Sequence, residues 1–108
     1  MKINKTNLEG VLKIKLQPFR DFRGQYIEIF NKELFKKTKK KISFIQDDIS
    51  ISKKNVLRGI HGDFKTWKLI TCLLGEFDLL VVNNISRHKQ YKKWQMFKLS
   101  EKNNVQIL

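Results

Sequence analysis

"KLITCLLGEFDLLVV", residues 68–82, decides the fold class. Two apolar runs flank Gly75 and Glu76, and each has the length of a strand. Both faces of each run are apolar, which suits strands inside a sandwich or barrel. The Gly-Glu pair predicts a hairpin joining them. Alternation recurs on either side. "VLKIKL" (11–16) sets Leu12, Ile14 and Leu16 on one face and two lysines on the other, a half-buried strand. Pro18 and "FRDFRG" (19–24) predict a turn or loop closed by Gly24. "QYIEIF" (25–30) predicts a second strand. "NKELFKKTKKK" (31–41) leaves room for one short helix with Asn31 as its N-cap. "ISFIQDDISIS" (42–52) alternates again, and "NVLRGIH" (55–61) is strand-like but interrupted by Gly59. "YKKWQMFKLS" (91–100) and "NNVQIL" (103–108) finish the chain. Short strands at even spacing with one weak helix predict an all-β sandwich or small barrel. The last strand, ending at Leu108, is expected to leave an unpaired sheet edge.

With 108 residues the chain is a single domain, 1–108, whose core has little stability to spare. Its formal net charge is +13, mostly lysine, which attracts anions: nucleic acid, acidic lipid or phosphorylated small molecules. The densest run, "KKTKKK" (36–41), carries no interleaved aromatic residues to stack on bases, and no common nucleic-acid motif is present. It reads as a solvated segment, and nucleic acid is the weaker reading of the charge. The one cysteine, Cys72, sits in an apolar run and reads as a small buried hydrophobe. No internal disulfide framework or cysteine-pair zinc site is available to it. "MKINKTNLEG" lacks the apolar core of a signal peptide, and no run approaches membrane-spanning length. The expectation is a cytoplasmic protein with no membrane partner.

The chemistry concentrates in "NVLRGIHGDFKTWK" (55–68), which holds Arg58, His61 and Lys68. Residues three apart on a flat strand point to opposite faces. Arg58 and His61 therefore share a pocket only if the strand is bulged or kinked, which Gly59 permits. Otherwise they are a surface arginine and a satisfied histidine at a strand end. Upstream, Arg23 and Glu28 flank the Gly24 turn. Gln46, Asp48, Ser50 and Ser52 form a polar face opposite Ile45, Ile49 and Ile51. Such a face meets solvent or lines a polar cavity.

"GVLKIKLQPFRDFRGQYIEIF", "FIQDDISISKKNVLRGIHGD", "KLITCLLGEFDLLVV" and "YKKWQMFKLS", in that order, resemble the cupin-fold sugar-nucleotide epimerases. The family is that of dTDP-4-dehydrorhamnose 3,5-epimerase, with "NVLRGIHGDFKTWKLITCLLGE" most like the branch acting on GDP-linked 4-keto-6-deoxy-heptoses. The resemblance implies a cupin-type jelly roll and the inversion of C3, C5 or both in a 4-keto-6-deoxy sugar of surface-polysaccharide biosynthesis. It implies His61 as the base that removes the proton next to the ketone. It makes Lys68 the cation beside the ketone oxygen, where enolate charge develops. Arg58 and Arg23 become diphosphate contacts. Glu28, Gln46 and Asp48 take positions that hold the nucleotide or sugar. No metal or cofactor is implied. A homodimer is, with the N-terminal segment crossing to the neighbour and Arg23 and Glu28 serving the neighbouring site.

The chain departs from the family pattern at named places. Asp48 stands where asparagine is usual. In "VVNNIS" Asn83 and Ile85 stand where the pattern has an aspartate and an arginine, so a family ion pair is unmade. The family's second histidine, the tyrosine acting from the opposite face and the aspartate that orients the base have no counterpart. The expectation is therefore a partial domain, and an inactive or split-gene remnant that at most binds a nucleotide sugar or a partner chain is the alternative function. A metal cupin using His61-Gly62-Asp63 with His88 is a further, weaker reading.

Overall fold

A computed structural model describes residues 1–108. β1 (Lys2–Lys5) and β2 (Leu12–Lys15) form an antiparallel hairpin in which Ile3 lies opposite Ile14. Its connection is tied by Thr6, whose hydroxyl donates to the carbonyls of Leu8 and Val11 at 3.0 Å. β3 (Phe19–Asp21) and β4 (Gly24–Tyr26) make a second, projecting hairpin whose tip is Phe22 and Arg23. α1 (Lys32–Phe35) follows, running into a 3-10 turn over Lys36–Thr38. β5 (Ile70–Thr71), β6 (Glu76–Val82), β7 (Trp94–Ser100) and β8 (Val105–Ile107) complete the elements. The principal sheet has the order β1-β2-β8-β5, and β6 pairs with β7 over seven residues in a layer beside it.

The helix forms where the sequence predicts. Asn31 is extended, and its Oδ1 accepts from the backbone N–H of Glu33 at 2.9 Å and of Leu34 at 3.1 Å. These bonds satisfy amides that have no partner inside the helix. Asn31→Ala is expected to cost about 1 kcal/mol of stability, read as a lowered urea midpoint.

β8 is the centre of the core. Val105 and Ile107 face β7 and pack with Phe97 and Leu99, joined by Ile70, Leu79 and Val81. Leu108 lies with Ile14, Leu16 and Phe35 in the second cluster. There the rings of Phe30, Phe35 and Phe44 meet with centroids 5.2–5.7 Å apart. Gln106, buried between the apolar residues, donates from Nε2 to the carbonyl of Ile29 at 2.8 Å, so its polar head is satisfied. The expected open edge at the end of the chain is therefore corrected. β8 lies between β2 and β5, and the edges are β1 and β5. The Asn103 side chain makes this possible. Its Oδ1 accepts from the amides of Ser100 and Val105, each at 3.1 Å, turning the chain out of the β7 layer and into the sheet.

Three further expectations change. The runs on either side of Gly75 are no hairpin: β5 pairs with β8, and β6 pairs with β7. Gly75, at φ +74°, turns the chain from one layer to the other. The predicted strand 25–30 ends at Tyr26. The runs 42–52 and 55–61 contain no strand, although both have strand-like sequences. Residues 43–68 make no backbone-to-backbone hydrogen bond, and beyond Phe44 they lie open, with Ile45 94% and Leu57 91% exposed. Alternation predicts which way side chains point along an extended run. It cannot supply the neighbouring strand that a sheet requires. The radius of gyration is 14.9 Å, above the ~13 Å of a compact chain of this length.

Candidate functional site

Arg58, His61 and Lys68 all lie on the open run, and all three are exposed. Gly59 is the local cause of its path. Its φ of +111° is one that side-chain-bearing residues rarely adopt, and a Cβ there would sit 3.5 Å from the His61 amide nitrogen and 3.7 Å from His61 Cδ2. The kink the sequence required is thus present at the predicted residue. Arg58 reaches backward rather than toward His61. Its Nε donates to Ser52 Oγ at 2.8 Å and its Nη2 to the Ile51 carbonyl at 3.2 Å, closing the loop between the two extended runs. The His61 imidazole hydrogen-bonds to no other group, so both ring nitrogens are free to exchange protons with a ligand.

Between His61 and Lys68 the chain turns on Asp63. Its Oδ1 accepts from the amides of Lys65 at 2.8 Å and Thr66 at 2.6 Å, an Asx turn that sets where Lys68 begins. The sequence reading weighed Asp63 only as half of a metal pair. The "DFKT" turn signal was the available clue. The Lys65 amide, followed by Thr66 and the Lys68 charge, holds the Asp63 carboxyl below the usual carboxylate range. A depressed folded-state pKa contributes order above the ordinary carboxylate pKa and loses it as pH falls through the folded value. Acid titration by NMR is expected to give an Asp63 midpoint below that of an unstructured aspartate, with the Lys65 and Thr66 amides shifting together. Asp63→Ala is expected to quicken exchange of those two amides at neutral pH. No group of three or more His, Cys, Asp or Glu side chains is placed to hold a metal ion, and His88 lies on the β6–β7 loop, its Nε2 3.6 Å from a Glu9 carboxylate oxygen.

The remaining residues are dispersed. Arg23 stands at the tip of the β3–β4 hairpin, its guanidinium clamped to Asp21 by a 2.6 Å contact. That pairing holds the Asp21 carboxyl below its usual range and raises the arginine. Glu28 accepts from Asn31 Nδ2 at 3.1 Å beside the helix cap. Gln46 Nε2 donates to Asp48 Oδ2 at 2.9 Å, so these two are brought together on the open run. Asn83 donates from Nδ2 to His88 Nδ1 at 3.1 Å, and its Oδ1 accepts from the Ile85 amide at 2.9 Å. Cys72 is only half-buried and packs at the margin of the β7–β8 cluster.

Two concave features are lined by residues other than His61. A cavity of about 50 Å³ lies between Leu16, Glu28, Phe35 and Gln106, and an open groove of about 430 Å³ is lined by Lys5, Lys13, Gln95 and Lys98. Of the candidate residues only Glu28 lines either one. The open run carries Arg58, His61 and Lys68, all exposed, and no second wall stands opposite.

Two antiparallel layers packed through β8, with the chemistry on a kinked run outside them, define an all-β protein of the cupin-type jelly-roll class. The chain belongs to the dTDP-4-dehydrorhamnose 3,5-epimerase family, whose profile matches residues 5–108. It is 34% identical over 111 residues to the dTDP-4-dehydrorhamnose 3,5-epimerase of Salmonella typhimurium, covering 99% of this chain and 61% of that protein. It is 32% identical to that of Methanothermobacter thermautotrophicus, covering 92% and 55%. The Bacillus anthracis enzyme solved with TDP and PPi superposes with a TM-score of 0.88 at 28% identity, covering 99% of this chain and 63% of that one. The Legionella pneumophila enzyme in complex with dTDP-4-keto-L-rhamnose gives 0.86 at 27%, covering 98% and 58%. The chain thus spans about three-fifths of the length of the curated relatives it matches.

No helix is long and apolar enough to cross a membrane.

Proposed function

We propose that the chain carries the base and the electrophile of a nucleotide-sugar epimerase acting on a dTDP-linked 4-keto-6-deoxy sugar. The carrying observation is the Gly59 kink, which presents an imidazole free of hydrogen bonds on the same run as Lys68, along a trace close to that of an epimerase solved with such a sugar. His61 takes the proton from the carbon next to the ketone, since imidazole is a base near neutral pH. Lys68 stands by the ketone oxygen and stabilises the enolate. Arg58 and Arg23 hold the diphosphate, the former once released from Ser52. Glu28, Gln46 and Asp48 bind the nucleotide or sugar. The names of the matched relatives favour dTDP over GDP as the nucleotide. The projecting hairpin that carries Arg23 fits a homodimer in which this arginine serves the neighbouring site. The setting is cytoplasmic synthesis of deoxysugars for surface polysaccharide.

The test is proton exchange with solvent. The chain is incubated with a dTDP-4-keto-6-deoxy sugar in D2O, and deuterium at C3 and C5 is followed by NMR. Deuterium at either carbon, above the rate without protein, is the expected result. Its absence from folded protein overturns the catalytic reading.

The missing second wall at His61 favours a second reading, a chain that binds nucleotide sugar without turning it over. Saturable shifts of the Arg58 and Lys68 side-chain signals with no deuterium uptake would select it.

A further inference from the structure

We propose that the groove of about 430 Å³ between the β1–β2 hairpin and β7 is a separate anion site, which takes a chain of two or more phosphoryl groups. None of its lining residues has a part in the function proposed above, so the inference stands apart from that reading.

Three observations carry it. The first is charge. Lys5, Lys13 and Lys98 line the groove, and no carboxylate does. Lys5 and Lys13 form no ion pair. Lys98 meets Glu76 at 3.3 Å and lies across the strand pair from Asp78. The Lys98–Glu76 pair is exposed on both sides, so it is weak and readily exchanged for another anion. The second is register. Lys2 stands directly opposite Lys15, and Asn4 opposite Lys13, on one face of the hairpin. Like charges directly opposite each other destabilise a strand pair. The same face continues into β8, where Val105 and Ile107 lie opposite Lys15 and Lys13 and pack with Phe97 and Leu99 of β7. These lysines therefore stand beside the β7 layer and not under it, where a bound anion relieves their repulsion. Lysines also guard β1 as a sheet edge, but that role needs no preference among anions. The third is the shape and lining of the groove. Its volume falls within the ~300–1,000 Å³ of small-molecule sites. Gln95 Oε1 accepts from the Asn7 amide at 3.0 Å, which leaves Gln95 Nε2 as a neutral donor in the lining. The cations come from three strands around a space larger than one phosphate fills, so a phosphoryl chain meets more of them than a single ion does. Lysine is a flexible point charge and suits such a chain. The only ring in the lining, Phe97, is buried and offers no face for a base to stack on, which disfavours nucleic acid.

The experiment uses the full chain, labelled with 15N and with 13C in lysine, at about 0.15 M ionic strength, where diffuse attraction is screened beyond ~8 Å. Sodium tripolyphosphate and orthophosphate are titrated by NMR at matched ionic strength. Saturable shifts centred on Lys5, Lys13, Lys98 and the Gln95 side chain are expected, with tripolyphosphate at least ~10-fold tighter, as two further exposed ion contacts would give. Lys13→Gln and Lys98→Gln are each expected to weaken it by roughly fivefold. Lys37→Gln removes the same charge from the 36–41 run and is expected to leave it unchanged. All three side chains are exposed, and unchanged amide exchange in β7 and β8 shows that the fold is kept. ATP, titrated in parallel, separates the two sources of a phosphoryl chain: tighter binding than the inorganic salt assigns a nucleotide, and equal or weaker binding the inorganic ion, in each case at the same lysines. Equal affinity for orthophosphate and tripolyphosphate overturns the proposal, as does equal weakening by Lys37→Gln, because the charge then acts diffusely. Tighter binding of a single-stranded oligonucleotide at these lysines overturns the assigned ligand. Deuterium uptake into substrate is a separate readout, so the two proposals fail independently.

Discussion

His61→Gln is expected to slow deuterium uptake at C3 and C5 by roughly 10²–10⁴-fold, the usual contribution of a positioned general base. Glutamine keeps polarity and approximate size but has no group that accepts a proton near neutral pH. The imidazole forms no hydrogen bond in the free protein, so its replacement breaks nothing that holds the fold. A loss of exchange accompanied by an unchanged urea midpoint therefore locates the effect in chemistry. Lys68→Met gives a companion result. Removing the cation beside a developing enolate is expected to cost roughly 10²–10³-fold in rate, with a smaller change in substrate affinity. His88→Gln is the control. That histidine lies on the β6–β7 loop beside Glu9, and its replacement is expected to leave exchange within about twofold of the parent. Equal loss in the His61 and His88 variants would remove His61 from its assigned role.

The largest stability effect is expected at Leu99→Ala, about 2–5 kcal/mol. Leu99 is fully buried at the middle of the contact between β7 and β8, packed with Phe97, Val105 and Ile107. Truncation loses the transfer free energy of the removed methyl groups and leaves a cavity that its strand neighbours cannot close. Only 11 of 108 residues are buried, so the core has few other contacts to compensate. Domains of this size are stable by about 5–15 kcal/mol in all, which makes this one change a large part of the whole. The urea midpoint is expected to fall by at least about 1 M at a slope of about 1.5 kcal/mol/M. Ile45→Ala, at a side chain 94% exposed, is expected to stay within about 0.5 kcal/mol of the parent. A large loss at Ile45 would mean that the open run is packed in solution.

These two contrasts follow the division between the packed layers and the open run. The layers hold the stability and very little of the chemistry. The open run holds Gln46, Asp48, Arg58, His61 and Lys68 and contributes almost nothing to the core. A functional site on a weakly supported segment becomes rigid only when something packs over it. Substrate binding would supply that order, and the deuterium and side-chain shift measurements above test it.

The amino-acid sequence by itself determined the strand character, the short helix, its Asn31 cap and the kink at Gly59. All are local: period-two alternation, a side chain reaching its own next turn, and a φ open mainly to glycine. It also carried the family, through motifs in fixed order whose match extends over residues 5–108. Only the tertiary structure decided the partners. "KLITCLLGEFDLLVV" reads as a hairpin because Gly75 sits between two apolar runs, yet its halves pair with β8 and β7 in different layers and meet only through side chains, Ile70 of the one and Leu79 and Val81 of the other packing on the same cluster between the layers. "NNVQIL" looks like an exposed end and becomes the central strand, because Gln106 finds the Ile29 carbonyl seventy-seven residues away and both of its apolar flanks are covered. "ISFIQDDISIS" has the alternation of a strand and forms none, because pairing needs a neighbour that this chain does not place beside it. Alternation is written in the residues themselves, whereas pairing depends on which other backbone comes within hydrogen-bonding distance.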